Sequence, residues 1–279
     1  MKTLDHLLNI DHNFMMPLHN FTVISVTGEQ RDDYLHGQLT VDTKALDDHE
    51  VRRAAHCDFK GKTWSLSLVI RHKEALWLSI NKSSAEHTLA QLNKYGVFSK
   101  VTIAPCDDTQ SDDTLKHFAF SGPMAEQWLT GHFGSLPDAP LSSVQHDTGV
   151  LIRLDHPDNV FIAILNSQGV DALNSSDLPN QIKAYKDTVF EALSIKNGIP
   201  DISGEAVNQF VPQMMNVQAL NGIDFNKGCY MGQEVVARTR YLGKNKRAGF
   251  ALCFPEAIDV TVGDSIEIEV ASGWRRGGT

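Results

Sequence analysis

The stretch NKGCYMGQE at 226–234 sets Cys229 two positions after Lys227 and between Gly228 and Gly232. The thiolate, not the thiol, is the nucleophile, and a nearby ammonium or the positive end of a helix dipole favours it. Gly232 leads into Gln233-Glu234-Val235-Val236-Ala237-Arg238, a series able to start a helix a few residues beyond the thiol. Cys229 is therefore a candidate reactive thiol with Lys227 as its companion, against the ordinary reading of a cysteine as small apolar filler in a turn. Cys57, Cys106 and Cys253 lie beside apolar strand-like runs and are read as core. With no CxxC pair in the chain, neither a zinc knuckle nor a disulfide framework is indicated.

Charge singles out the same region. From Lys227 to Arg247 there are six Lys or Arg against one acid, Glu234, in a chain whose formal net charge is −9. An acidic whole, with a pI of about 5.7, argues against coating nucleic acid or anionic membrane, so an anionic ligand must meet a local patch. Arg238 to Arg247 holds five cations in ten residues with one aromatic, Tyr241. That run suits a solvated face, a seat for a carboxylate tail or phosphate, or contact with an RNA backbone. GKNKRAG (243–249) is not a GxxxxGK[ST] phosphate loop, and no GxSxG elbow is present. The 12 histidines show no HxH or HxxxH spacing, so no metal site is expected.

These residues need a scaffold, and the 279-residue length favours several domains over one core. Hydrophobic content of 42% with 21% charged residues is that of an ordinary globular chain. Asp5 and Asp11 interrupt any signal peptide, and no apolar run approaches the ~20 residues of a membrane span, so a cytoplasmic protein without membrane association is expected. FTVISVTG (21–28) alternates as a strand, and EQRDDYLHGQLT (29–40) reads as a helix capped at Gly37. Two extended runs flank a turn at 58–62, followed by a strand, a helix capped by Ser83 or Ser84, and the strand FSKVTIAP. The polar CDDTQSDDT (106–114) reads as a junction. A second set follows: HFAFSG, a helix opened by Pro123, the strands VLIRLDHP and NVFIAILN, and a helix ending at Gly198. The last stretch carries only strand and turn signals. The expected class is α+β, with modules over 1–108, 109–242 and 243–279, the first two able to interleave.

KGCYMGQE (227–234) resembles the signature of the YgfZ family, folate-binding relatives of the T-protein, the aminomethyltransferase of the glycine cleavage system. YLHGQLTVDT (34–43), AAHCDFKGK (54–62), KYGVFSKVTIAP (94–105), QFVPQMMNVQALNGIDFNKG (209–228) and NKRA (245–248) agree with it, and the similarity runs from Phe21 to Thr279. The resemblance implies a T-protein-like cloverleaf: two mixed α+β modules around a central opening, plus a C-terminal β-barrel. Relatives extend beyond the closing GWRRGGT, so that barrel is expected to be incomplete.

The same resemblance implies tetrahydrofolate binding in the opening, a part in tRNA modification and in assembly or repair of iron-sulfur enzymes, and a link to control of replication initiation. The family cysteine falls on Cys229. Where bacterial relatives carry tryptophans at the folate site, this chain has Phe21 and Phe190, which keep a stacking face but lose the indole N–H. Both positions also suit a core. Arg238 and Arg247 are the candidates for the folate glutamate tail. Two other readings stay open: a folate-dependent one-carbon (aminomethyl) transferase with Asp42 or Asp58 as its acid, and an RNA-binding module using Lys244, Lys246 and Arg247. Expected partners are folate and iron-sulfur client enzymes or tRNA, with a monomer favoured.

Overall fold

The computed structural model describes residues 10–106, 114–156, 159–243, 245, 247–254, 256–261 and 263–279. The Asp-rich junction at 107–113 and the lysines Lys244 and Lys246 lie outside them.

In chain order the first stretch forms β1 (Phe14–Pro17), β2 (Phe21–Thr27), α1 (Arg31–Gln38), β3 (Val51–Cys57), β4 (Thr63–His72), β5 (Ala75–Asn81), α2 (Lys82–Gly96) and β6 (Thr102–Pro105). The second forms β7 (Lys116–Ser121), α3 (Pro123–Phe133), β8 (Ser142–His146), β9 (Gly149–Arg153), β10 (Phe161–Leu165), α4 (Ser167–Asn174), α5 (Leu178–Gln181), β11 (Lys183–Ala184) and α6 (Asp187–Lys196). After a long irregular segment come α7 (Gln233–Tyr241), β12 (Ile266–Val270) and β13 (Gly273–Gly278).

One sheet has the order β3-β4-β5-β2-β6 and the other β11-β1-β7-β10-β9-β8. Pairing is antiparallel except between β1 and β11. β1 belongs to the first stretch but pairs with β7 and β11, so the two stretches interleave.

Side chains alternate across a strand, and here each face of each sheet meets a different core. Val23, Leu68, Ile70 and Trp77 from the first sheet share one cluster with Met16, Ala119, Ile152, Ile162 and Ile164 from the second. Their neighbours Ile24, Val26, Val69, Leu76 and Leu78 turn the other way, onto Tyr34 and Leu35 of α1 and Leu92 of α2. Phe118, Phe120, Leu151, Phe161 and Leu165 likewise face α3 and α4 through Leu129, Phe133, Val170 and Leu173. The result is four layers, helix, sheet, sheet, helix. Both faces of each sheet are covered, which is why β5 and β10 read as continuous apolar runs.

A fourth cluster ties the end of the first sheet, through Ala55, Cys57 and Leu66, to Ile202, Val217, Ile223, Tyr230 and Val236 of the later chain. It carries the segment around Cys229. Beyond α7, β12 and β13 form a lone two-stranded sheet, and no closed barrel is present among the described residues. Among the described residues no helix is long and apolar enough to cross a membrane.

Local expectations needed correction at four places. α1 runs through Gly37 to Gln38, because the helix does not need a left-handed residue there and Leu39 continues in extended backbone. α2 is capped by Asn81, whose side chain accepts the Ser83 N–H at 3.0 Å, two and three positions ahead of the serines expected to cap it. FSKVTIAP contributes only Thr102–Pro105 to the sheet, and Phe98 is 99% exposed. Cys253, read as core, is exposed, because no described strand brings a second layer over it.

Candidate functional site

The segment 222–232 is stitched onto the loop that follows α1. The Thr40 hydroxyl donates to the Gly222 carbonyl at 2.6 Å, and the Asp224 N–H donates to the Thr40 carbonyl at 2.9 Å. Asp224 in turn accepts the Asp42 N–H at 2.6 Å and the Arg52 guanidinium at 3.1 Å. Lys227 completes the seam: its Nζ donates to the carbonyl oxygens of His36, Leu39 and Val41 at 2.5, 2.7 and 2.8 Å. Three N–H donors meet three acceptors. Burial pulls the ammonium down to about 8, opposed by Asp42 and Asp224, and it remains charged at neutral pH.

Cys229 emerges from this seam with its thiol exposed. Gly228 lies against His36, since a Cβ built there would stand 3.1 Å from Nε2. His36 Nδ1 is 2.9 Å from Asp42 Oδ1. Burial opposes ionisation of Asp42, but the N–H groups of Ala45 and Lys44 together with His36 hold its carboxyl below the ordinary range. Asp58, the other acid considered, is buried and accepts the N–H groups of Lys60 and Lys62 at 2.8 Å, shaping its own turn.

The helix expected after the thiol is α7, which begins at Gln233 behind Gly232 in the left-handed region at φ +83. There a Cβ would meet the Asp58 carbonyl at 2.5 Å, and one on Gly61 would meet the Val235 side chain at 3.0 Å. The turns of AAHCDFKGK and KGCYMGQE are thus in direct contact, although 170 or so positions separate them. On the side of Asp42 and Asp224 the seam borders a cavity of about 410 Å³ lined by Asp42, Arg52, Asp224, Phe225, Lys227 and Arg240.

The remaining sequence candidates divide in two. Phe21 and Phe190 meet edge to face at 5.9 Å between the sheets and α6, with Phe190 buried in the shared core and Phe21 packed against it. Arg238 pairs with Glu234 across one helical turn at 3.7 Å, and Arg247 is exposed in the chain that follows α7. The arginines therefore stand on the fourth cluster and the phenylalanines on the first.

Sequence reasoning missed the polar groups that extend the aromatic pair. Phe21 packs at 6.0 Å on His117, which contacts the Ser79 hydroxyl at 3.0 Å, while Phe190 stacks at 6.3 Å on His156. Next to His156, Asp155 takes the buried Arg53 guanidinium at 2.5 Å. Asn81 donates to Asp201 at 2.6 Å, and burial raises the Asp201 carboxyl. His117 Nδ1 and Arg53 Nε are buried without a hydrogen-bond partner, a sign of polar capacity held in reserve. The only sequence signal was Arg52-Arg53 inside a largely buried strand. No group of three or more metal-ligating side chains occurs among the described residues.

No family model matches the chain. Among curated proteins it is 36% identical over 265 residues to the tRNA-modifying protein YgfZ of Pectobacterium carotovorum, covering 95% of this chain and 78% of that one. To the protein of the same name from Colwellia psychrerythraea it is 34% identical over 277 residues, covering 99% and 83%. Among solved structures, the glycine cleavage system aminomethyltransferase T from Bartonella henselae superposes with a TM-score of 0.61 at 15% identity, covering 86% of this chain and 66% of that enzyme. That likeness shows the fold, a T-protein-like α+β architecture. Sequence identity at this level over nearly the whole chain places the protein in the YgfZ family.

Proposed function

We propose that the protein is a folate-binding accessory factor of tRNA modification, acting in the cytoplasm on iron-sulfur enzymes rather than turning over a substrate of its own. The observation that carries this reading is an exposed thiol on a loop held rigidly by Lys227, in a chain of this family. Lys227 is a positioning residue: its donors are spent on carbonyl oxygens, so it fixes where Cys229 stands. Tetrahydrofolate, when bound, would supply a one-carbon carrier. Phe21 offers its partly buried ring to the pterin with Phe190 behind it, Arg53 holds an unspent donor nearby, and Arg238 and Arg247 take the glutamate tail. A link to replication control is part of the same proposal.

Calorimetric titration of mono- and polyglutamylated tetrahydrofolate into the purified chain tests the pocket. Saturable binding is expected, weakened at least tenfold by Phe21→Ala and losing its dependence on tail length in Arg238→Gln with Arg247→Gln. A folded chain that binds neither ligand would overturn the folate reading. The thiol is tested separately: in a strain lacking the protein, Cys229→Ala should fail to restore tRNA thiomethylation, and full restoration would end its assigned role.

A further inference from the structure

Next to the thiol lies a surface whose charge opposes that of the whole molecule. At the β3–β4 turn Phe59 is 72% exposed, with Lys60 Nζ 5.5 Å from its ring centroid. The acid of this turn, Asp58, is buried and consumed by backbone N–H groups, so the tip presents only the cation and the ring. Gly61 and Gly232 bring that tip against the first turn of α7. Toward the other end of α7, the Arg240 guanidinium lies 3.9 Å above the Phe225 ring and 5.4 Å from the Tyr241 ring, and Tyr241 is 62% exposed. Glu234 stands 3.7 Å from Arg238 across one helical turn with its side chain exposed, and Asp224 pairs with Arg52.

We propose that this surface, formed by Phe59, Lys60, Phe225, Arg240 and Tyr241, docks an unpaired segment of RNA beside Cys229. The proposal deepens the role in tRNA modification and rests on it. Flat faces backed by cations are what unstacked bases and their phosphates recognise, since every base has a π-face and a guanidinium resting on a ring offers a second planar surface. Nine residues of α7 span about 13 Å, a distance suited to a few nucleotides and not to the two successive minor grooves of a duplex reader. The net charge of −9 over the whole chain disfavours RNA away from this patch, which orients it.

The test is fluorescence anisotropy with a labelled 17-nucleotide RNA stem-loop bearing a seven-base loop, against a fully paired RNA of equal length, with the purified full chain. The stem-loop should bind more tightly, with a log-log salt slope of about −1.4 for two cations on a single strand. Phe59→Ala and Arg240→Gln should each weaken it by roughly five- to a hundredfold, the span that loss of one stacked base covers. Both residues are exposed, so unfolding is not a competing cause, and unchanged thermal melting confirms that. Equal binding of paired RNA, indifference to both substitutions, or absence of binding overturns the proposal. Competition by a poly-glutamate peptide of equal charge as strong as that of the RNA would assign the patch to an acidic protein instead. Folate titration of the same preparation separates the cases, because retained folate binding without RNA binding defeats this inference alone.

Discussion

Lys227 closes the C-terminal end of α1 with three hydrogen bonds to carbonyl oxygens that would otherwise be left without donors. Lys227→Met should therefore cost about 3 kcal/mol, since buried acceptors lose charged donors and gain nothing, and the urea midpoint should fall with the slope unchanged. Lys227→Arg should not restore it. A planar fork cannot aim at three carbonyls grouped around one tetrahedral nitrogen. The sequence showed a lysine two positions from a cysteine, but it could not show where the ammonium points, because His36, Leu39 and Val41 stand nearly two hundred positions earlier.

At the scale of elements, the start of α7 depends on one close approach. Gly232 sits at φ +83 with the Asp58 carbonyl 2.5 Å from where a Cβ would be, so Gly232→Ala combines backbone strain with a backbone clash. A loss of about 2–4 kcal/mol is expected on chemical denaturation. Gly131, inside α3 with open space around it, is the contrast. Gly131→Ala should stabilise by up to about 1 kcal/mol, and a destabilised variant would contradict the helix placement. The helix after Gly232 was legible from its helix formers, and so were most strands, from their period of two. The cap of α2 was not, because Asn81 and the serines after it are all able caps, and only the direction of the chain leaving β5 decides which one is used.

Across the whole molecule, burial between layers creates an acid-sensitive pair. His117 lies between the sheets and His56 beneath α2 beside Trp64, and burial pushes both imidazoles down to about 3. In the unfolded chain they titrate near 6.5, so below that pH the unfolded state binds more protons than the folded one. Stability should be complete above about pH 6.5 and fall as the pH drops toward 3. Between pH 6.5 and 5 each histidine should cost about 2 kcal/mol. Urea midpoints at pH 7 and pH 5 check this: His117→Gln should lose less on acidification than the natural chain, and an equal loss would show that His117 does not stay neutral.

What the sequence determined by itself was local or signature-borne: the α+β class, the apolar periodicities, the charge reversal after Lys227 and the family of KGCYMGQE. The reason is that period and motif are short-range properties. Only the tertiary structure decided that β1 crosses into the second sheet, that Lys227 spends its donors on the α1 loop, that Arg53 meets Asp155, and that the Phe59 turn abuts α7. Each of these joins residues far apart in the chain, and their pairing follows from how four layers cover one another's apolar faces, which no single segment encodes.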